Sequence, residues 1–330
     1  MSINKNSVAY LFPGQGAQYQ GMALDFLNSG SRAVKKLFET AGAIYGKDME
    51  AMLRDTEAET LKRTDVSQPT VTLANLAAAA FLGEQGYTPL ACAGFSLGEY
   101  AALVCAGVIS AEDCLNLVKI RGEVMQQSAD RLREAAGGDA AAAPGMAAVI
   151  GLAPEQVESL IAQWKEAGLE DLYAANINSP KQVAVSGTAR SLAEAETRFK
   201  EAGARRVLRL QVAGPFHSPL LAGVVEAFTP ALEPVVFNDP QVPLFSNVTG
   251  KLVSSGAEAK KLAIAQITSP VRWIDEEASI AAFSKTLPQG ISACLETGPG
   301  KVLQGLWRDA GSEIPCYGAG TIEEISNMDN

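Results

Sequence analysis

A serine between two glycines is the first residue of this sequence whose setting points to chemistry. Ser96 lies in a Gly-Phe-Ser-Leu-Gly segment, residues 94–98, between an apolar run at 90–93 and an alanine-rich stretch at 99–106. A strand, Gly-x-Ser-x-Gly and a helix in this order are typical of a nucleophile elbow, a turn so tight that flanking side chains would clash. Its helix N-terminus would favour a developing oxyanion. Gly-x-Ser-x-Gly also occurs by chance, so a glycine-rich turn with an incidental serine stays open as the alternative.

The sequence contains one histidine, His217, so a serine nucleophile has one candidate general base. A serine hydroxyl needs such a base to attack a carbonyl carbon. His217 lies in a Gly-Pro-Phe-His-Ser-Pro segment, residues 214–219, in which two prolines and a glycine restrict the loop. The alternative is a loop histidine without a role, and its being the sole imidazole favours the catalytic interpretation.

Two further positions could contact a substrate. Gln15 lies between two glycines after an apolar run at 8–12, so this loop is either an ordinary strand-to-helix turn or a donor of backbone N–H groups to a ligand. Arg121 falls on the apolar stripe of a predicted helix, three residues after Val118 and four before Met125. An arginine there either extends to the surface or is held inward for an anion.

Composition narrows the class of protein. A chain of 330 residues that is 47% hydrophobic and 19% charged is expected to form a soluble globular protein of one or two domains. The net charge of −10 argues against a general attraction to nucleic acid or anionic membrane. The five cysteines are odd in number and lie mostly in apolar runs, which predicts buried, reduced thiols in a cytoplasmic protein, and they form no Cys-x-x-Cys motif. We find no signal peptide, long apolar span or metal-binding motif in the sequence.

Two α/β units are predicted to position these residues. The first, 1–128 together with 213–330, carries all the candidate residues named above. The second, 146–212, reads as strand, helix and strand twice over, the order of a ferredoxin-like fold. A low-complexity stretch at 129–145 between them is expected to be a flexible linker or insertion.

Several element boundaries are also expected from the pattern. A turn at 64–69 is predicted to start a helix at 70–85, and the helix after Ser110 is predicted to end near Ser128. A strand followed by a turn is predicted at 243–250. The predicted elements of the second unit are strands at 146–150, 172–177, 182–186 and 206–212 and helices at 154–167 and 191–202.

Six motifs occur in one order along nearly the whole chain. They are Phe12-Pro-Gly-Gln-Gly16, Gln68-Pro69, Gly94-Phe-Ser-Leu-Gly-Glu99, Gly214-Pro-Phe-His-Ser-Pro219, Ser246-Asn-Val-Thr249 and Glu296-Thr-Gly-Pro-Gly-Lys-Val-Leu303. Together they resemble the malonyl-CoA:acyl carrier protein transacylases and the acyltransferase domains of polyketide and fatty acid synthases. The resemblance implies an α/β protein with an α/β-hydrolase-like core and an inserted ferredoxin-like (βαββαβ) small subdomain.

The resemblance also implies the catalytic roles. Ser96 matches the nucleophile, and His217 matches the general base. Gln15 and Leu97 match the residues whose backbone N–H groups form the oxyanion hole. Gln266 matches a glutamine whose backbone carbonyl orients the histidine.

Three more residues match positions that contact the acyl group. Arg121 matches the arginine that pairs with the malonyl carboxylate. Phe95 departs from the family, which commonly has histidine before the nucleophile, and this side chain is expected to border the acyl pocket. Phe216 agrees with a preference for malonyl groups, because a bulky ring there would crowd an α-methyl branch.

The activity that the resemblance implies is transfer of a malonyl group from malonyl-CoA to the phosphopantetheine thiol of an acyl carrier protein, with a malonyl-serine intermediate and ping-pong kinetics. It implies a monomer with no cofactor, no metal, and no nucleic-acid or membrane partner. Arg190, Arg205, Arg206 and Arg209 are either a local docking patch for an acidic carrier protein or solvated surface arginines.

Three other functions stay open at this point. The same chemistry could serve a polyketide assembly line, and the motifs do not separate that pathway from fatty acid synthesis. The chain could be an acyl-thioester hydrolase, although Arg121 argues against one because simple acyl hydrolases need no carboxylate clamp. It could also be a non-catalytic interaction protein, against which the intact Ser96, His217 and Gln15 argue.

Overall fold

The computed structural model describes residues 3–139 and 141–328. Its strands are β1 (Val8–Phe12), β2 (Pro89–Gly94), β3 (Gly145–Ile150), β4 (Leu172–Ser179), β5 (Gln182–Gly187), β6 (Arg206–Arg209), β7 (Ala293–Glu296) and β8 (Cys316–Gly318). Its helices are α1 (Leu24–Asn28), α2 (Arg32–Tyr45), α3 (Met49–Asp55), α4 (Ala58–Leu61), α5 (Thr64–Glu84), α6 (Gly98–Cys105), α7 (Ala111–Ala135), α8 (Pro154–Glu166), α9 (Ala189–Glu201), α10 (Ala222–Leu232), α11 (Gly256–Ala265), α12 (Trp273–Ser284), α13 (Val302–Asp309) and α14 (Ile322–Met328).

The larger unit is built on a parallel sheet with strand order β2-β1-β7-β8. Every residue of β1 is buried, as expected of a parallel strand covered on both faces. Tyr10 and Phe12 pack in the cluster that includes α2, α5 and α7, whereas Leu11 packs with α12 and α13 on the other face. Helices on both sides of the sheet therefore bury the strand that leads to the loop containing Gln15.

The smaller unit is an antiparallel sheet with strand order β4-β5-β3-β6. With α8 and α9 as its crossovers, this is the strand order of a ferredoxin-like fold, and Val157 of α8 and Phe199 of α9 pack in its own apolar cluster. The predicted α/β fold class is confirmed. The division into domains at 1–128 with 213–330 and at 146–212 stays a prediction.

Backbone and side-chain hydrogen bonds join the small sheet to the loops of the larger unit. Ile177 donates its backbone N–H to the Val271 carbonyl at 2.8 Å, and Val271 donates to the Ala175 carbonyl at 2.9 Å. Ser186 of β5 donates its hydroxyl to the Phe216 carbonyl at 2.5 Å. The small sheet thus supports the loop that carries His217.

The predicted turn at 64–69 is wrong, because α5 begins at Thr64 and includes Pro69. Every side chain from Val66 to Ala78 is buried, and this packing outweighs the cost of a proline inside a helix. The hydroxyl of Thr70 also donates to the Val66 carbonyl at 2.8 Å, next to the proline.

The predicted flexible segment at 129–145 begins as helix instead. Helix α7 runs to Ala135, past the expected end near Ser128, because alanine, leucine, arginine and glutamate are strong helix formers. It stops before Gly137, whose φ of 72° lies in the left-handed region typical of a helix C-terminus. The strand predicted at 206–212 is too long, because β6 ends at Arg209. The strand predicted within 243–250 is wrong, because that segment makes isolated bridges at Leu244 and Phe245 but no strand.

Candidate active site

Ser96 lies on the turn between β2 and α6, with a φ of 51° in the left-handed region that side chains rarely adopt. A Cβ on Gly94 would lie 2.2 Å from the Gly98 carbonyl carbon, and a Cβ on Gly98 would lie 2.0 Å from the Phe12 carbonyl oxygen. Neither position tolerates a side chain, so the turn has the sterics that the Gly-x-Ser-x-Gly spacing predicts.

The buried side chain of Asn247 fixes this turn from the segment that runs beside β2. Its Oδ1 accepts a hydrogen bond from the Ser96 backbone N–H at 2.6 Å, and its Nδ2 donates to the Gly94 carbonyl at 2.6 Å and to Glu276 Oε1 at 2.7 Å. The Ser-Asn-Val-Thr motif is visible in the sequence, but its spacing indicates no role for Asn247. A polar residue bonded to both sides of a strained turn can hold it in that conformation.

Ser96 and His217, the predicted nucleophile and base, lie within hydrogen-bonding distance of each other. Ser96 Oγ lies 2.8 Å from His217 Nε2, and His217 Nδ1 lies 2.9 Å from the Gln266 carbonyl oxygen and 3.2 Å from that of Ser269. Because carbonyl oxygens only accept hydrogen bonds, Nδ1 must carry the proton. Nε2 is then the unprotonated atom that can accept the proton of the Ser96 hydroxyl.

The imidazole of His217 is buried, and its environment favours the neutral form. Burial and then the charge of Arg121 lower the pKa of His217 from 6.5 to about 4, although the hydrogen bonds to the Gln266 and Ser269 carbonyls act in the opposite direction. At neutral pH the ring is therefore present as a base.

The loop that carries Gln15 lies against the backbone of the elbow. A Cβ on Gly14 would be 2.3 Å from the Phe95 carbonyl oxygen and 3.6 Å from the Leu97 nitrogen, so the two loops touch. Asn75 Nδ2 holds this loop by donating to the Pro13 carbonyl at 2.9 Å. Neither the Gln15 nor the Leu97 backbone N–H donates a hydrogen bond within residues 3–139 and 141–328. Both are thus available to a ligand oxygen.

Arg121 points inward, so the surface alternative for this residue is excluded. The residue is 1% exposed, its Nη2 donates to Gln266 Oε1 at 3.1 Å, and its guanidinium carbon lies 5.5 Å from the centre of the Tyr100 ring. Within the described part of the chain Arg121 makes no ion pair, and its Nε has no hydrogen-bond partner. Burial lowers its pKa, while Tyr100 and Glu99 act in the opposite direction. A buried cation with unused donors fits an anionic ligand group.

The side chain of Gln266 contacts both Arg121 and the elbow, and the sequence pattern does not indicate these contacts. Its Nε2 donates to the Ser96 carbonyl at 3.0 Å and to Glu99 Oε2. Burial raises the pKa of Glu99 to about 7, with the hydrogen bonds from Gln266 and Ser246 acting against that rise. The elbow motif contains Glu99, but nothing in its spacing indicates that partner.

The two predicted acyl-pocket phenylalanines differ in exposure. Phe95 is half-buried and packs edge-on against Trp273, with ring centres 5.5 Å apart. Phe216 is 8% exposed and belongs to the main apolar cluster. Phe95 is therefore held by an aromatic partner beside Ser96, and Phe216 precedes His217 on the loop supported by the small sheet.

The four arginines predicted as a docking patch are exposed on or near the small sheet. Within the described residues none of them lies within 4.0 Å of a carboxylate in an ion pair. The four are Arg190, Arg205, Arg206 and Arg209.

Among the described residues no cluster of three or more histidine, cysteine, aspartate or glutamate side chains could hold a metal ion, and no helix is long and apolar enough to span a membrane.

Comparison with known proteins places this geometry in a family. Residues 9–293 match the model of the acyl transferase domain. The malonyl CoA-acyl carrier protein transacylase of Bacillus subtilis is 36% identical over 320 residues, which cover 97% of this chain and 95% of that protein.

Two solved structures match this chain over nearly its whole length. An acyl carrier protein S-malonyltransferase from Vibrio cholerae superposes with a TM-score of 0.86 at 33% identity, covering 98% of this chain and 99% of that one. A malonyl-transacylase solved in complex with a type II polyketide synthase acyl-carrier protein superposes with a TM-score of 0.85 at 30% identity, covering 98% and 99%.

Proposed function

Because the chain belongs to the acyl transferase family, we propose that it transfers a malonyl group from malonyl-CoA to the phosphopantetheine thiol of an acyl carrier protein, through a malonyl-serine intermediate. The observation that carries this proposal is the approach of Ser96 Oγ to within 2.8 Å of the sole imidazole, in a site that also contains the buried Arg121. Nucleophile, base and carboxylate-binding group are the three parts that the reaction needs.

In the first half-reaction Ser96 Oγ attacks the thioester carbonyl of malonyl-CoA while His217 Nε2 takes the hydroxyl proton. The backbone N–H groups of Gln15 and Leu97 are the proposed donors to the oxygen of the tetrahedral intermediate. Its collapse breaks the carbon–sulfur bond, and the imidazolium returns the proton to the departing coenzyme A thiolate. The malonyl group is then an ester on Ser96.

The second half-reaction runs in the opposite direction with a new thiol. The phosphopantetheine thiol gives its proton to His217 Nε2 and attacks the Ser96 ester, and the imidazolium then protonates the released Ser96 Oγ. The Gln266 and Ser269 carbonyls stabilise the imidazolium through Nδ1. They carry partial rather than full negative charge, so they stabilise it less than the aspartate of a Ser-His-Asp triad.

Arg121 is the proposed partner of the malonyl carboxylate. A guanidinium can pair with a carboxylate through two parallel hydrogen bonds, and a site this buried strengthens such a pair. Phe95 and Phe216 are the proposed walls beside the acyl chain, where Phe216 would crowd a branched malonyl group. This set of residues favours a short acyl thioester that ends in a carboxylate.

The enzyme is further proposed to act as a cytoplasmic monomer without a cofactor. Ser96 and His217 supply nucleophile and base from one chain, so the chemistry requires neither a partner subunit nor a bound group. The five cysteines are free thiols. The Sγ atoms of Cys92 and Cys105 lie 3.3 Å apart without forming a disulfide, as expected in a reducing compartment.

Intact-protein mass spectrometry tests the proposed function. Incubation with malonyl-CoA should add one malonyl group to Ser96, and a phosphopantetheinylated carrier protein should then remove it. The Ser96→Ala variant is the control and should take up no malonyl group. Rapid loss of the group to water without a carrier would identify a hydrolase instead, and absence of an adduct would identify a non-catalytic protein.

A further inference from the structure

The direction of the Arg121 guanidinium depends on one side-chain amide. Gln266 is 1% exposed, and its Oε1 accepts the hydrogen bond from Arg121 Nη2 at 3.1 Å. That contact requires the oxygen end of the amide, not the NH2 end, to face the arginine, because a guanidinium only donates. Whatever selects the orientation of this amide also selects where Arg121 points.

Two acceptors select that orientation. The NH2 end of the Gln266 amide donates to the Ser96 carbonyl at 3.0 Å and to Glu99 Oε2. The Ser96 carbonyl only accepts hydrogen bonds, and so does the Glu99 carboxylate in its ionised form, so both favour Nε2 on their side. Glu99 is 4% exposed and lies in the first turn of α6, three residues after the nucleophile.

We propose that Glu99 is a positioning residue that, through the side-chain amide of Gln266, aims the guanidinium of Arg121 at the carboxylate of the acyl group. The proposal rests on the function proposed above for Arg121. It assigns the Gln266 side chain a task separate from that of its backbone carbonyl, which orients His217. Glu99 touches neither the substrate nor the reacting atoms in this account.

The isosteric variant Glu99→Gln tests the proposal, because a carboxamide can donate to Gln266 Oε1 as readily as it accepts from Nε2. The Ser96 carbonyl is then the one group left that fixes the NH2 end of the Gln266 amide, so its orientation is less strongly selected. Steady-state kinetics should show the KM for malonyl-CoA raised about tenfold, the size expected from loss of one charge-assisted hydrogen bond. For acetyl-CoA, which has no carboxylate, kcat/KM should change by less than about threefold.

Gln266→Ala provides a second variant that keeps the backbone carbonyl for His217. It should lower the ratio of malonyl to acetyl transfer by a similar factor, and the double variant should lower that ratio no further, since both changes break the same chain of contacts. Should Glu99→Gln fail to fold, the ratio measured with Gln266→Ala decides.

Glu276→Gln is the matched control. Glu276 is another buried carboxylate near the elbow, but it accepts from Asn247 rather than Gln266. This variant should affect malonyl and acetyl transfer alike and leave their ratio unchanged. A ratio that fell equally in Glu276→Gln would overturn the proposal.

Two other outcomes would overturn it. An unchanged malonyl-CoA KM in Glu99→Gln would show that the residue does not position Arg121. A lower KM would show that it acts only through its charge, since removing a negative charge favours binding of a second carboxylate. Arg121→Ala distinguishes failure of the Glu99 positioning role from failure of the carboxylate-binding role proposed for Arg121. If that variant lowers the ratio and Glu99→Gln does not, only the positioning role fails; if neither lowers it, the proposed role of Arg121 fails as well.

Discussion

At the residue scale, burial lowers the pKa of both His217 and Arg121, but only His217 becomes neutral at pH 7. Loss of solvation favours the neutral form of each side chain. For His217 the neutral form is the one that a general base requires. Arg121 keeps its charge because the pKa of a guanidinium is so high. It is therefore a buried cation without a carboxylate partner among the described residues, which favours a substrate that carries a carboxylate.

The pH dependence of the reaction should follow the lowered pKa of His217. We expect kcat/KM for malonyl-CoA to hold as the pH falls through 6.5 and to drop only near pH 4, where the pKa of His217 is about 4. Folded His217 binds fewer protons than unfolded histidine between these values, so it destabilises the fold as the pH falls through that window. Circular dichroism at each pH separates unfolding from titration, and an acid limb centred near 6.5 would contradict the assignment.

Removal of the Arg121 guanidinium should select against substrates that carry a carboxylate. We expect Arg121→Ala to weaken malonyl transfer relative to acetyl transfer by about 2–5 kcal/mol, the range for loss of a buried charge pair. Single-turnover acylation of Ser96 by the two thioesters measures the difference. Arg131→Ala, an exposed arginine on the same helix, is the control and should change neither rate. Equal losses for both acyl groups in Arg121→Ala would refute the clamp.

At the scale of elements, the elbow is held by residues that come from distant parts of the chain. Its glycines let β1, β2 and α6 approach closely, and Asn247 then bonds to the turn from the segment that follows α10. The left-handed backbone of Ser96 is unfavourable for a residue with a side chain. Such a conformation persists where its surroundings enforce it, and the Asn247 hydrogen bonds do so here.

Loss of the Asn247 side chain should therefore affect both stability and rate. We expect Asn247→Ala to lower the free energy of unfolding by about 1–3 kcal/mol, because two backbone groups of the elbow and Glu276 lose a partner in the interior. The kcat for malonyl and acetyl transfer should fall together. Denaturant titration and steady-state kinetics provide the measurements, with the exposed Asn116→Ala on α7 as control. A wild-type kcat in Asn247→Ala would mean that the turn keeps its conformation without the Asn247 hydrogen bonds.

Short-range sequence patterns predicted much of this site, whereas the features that depend on contacts between distant residues could not be predicted from the sequence. The elbow and the His217 loop follow from local spacing and from the histidine count, whereas spacing left the direction of Arg121 open between the surface and the interior. The role of Asn247 does not, because its contact with Ser96 spans 151 positions in the sequence. Helix α5 shows the same limit, since Pro69 reads locally as a helix boundary and only packing against other elements explains why the helix continues through it.

Charge is unevenly distributed over the whole molecule. The chain carries a net charge of −10, yet the four exposed arginines on or near the small sheet have no ion-pair partner within the described residues. Strand β6, which carries two of them, is the edge of that sheet and leaves one side of its backbone open. An acidic carrier protein could approach this side of an otherwise repulsive molecule.

Charge reversal on this surface should affect the second substrate alone. We expect Arg190→Glu with Arg205→Glu to raise the apparent KM for the carrier protein, more strongly at low salt, because attraction becomes repulsion. Acylation of Ser96 by malonyl-CoA should keep its rate. Lys285→Glu, an exposed cation of the larger unit, is the control for net charge. An unchanged carrier KM in the double variant would place the docking surface elsewhere.

The single histidine has a consequence for how the enzyme can be observed. A protein with one imidazole gives one set of ring signals in a histidine-selective nuclear magnetic resonance spectrum, and here that ring is His217. The ring nitrogen shifts distinguish the two tautomers and the doubly protonated form. Isotope labelling of histidine would therefore follow the protonation state of the proposed base during the proposed reaction, without mutation and without any other histidine to assign.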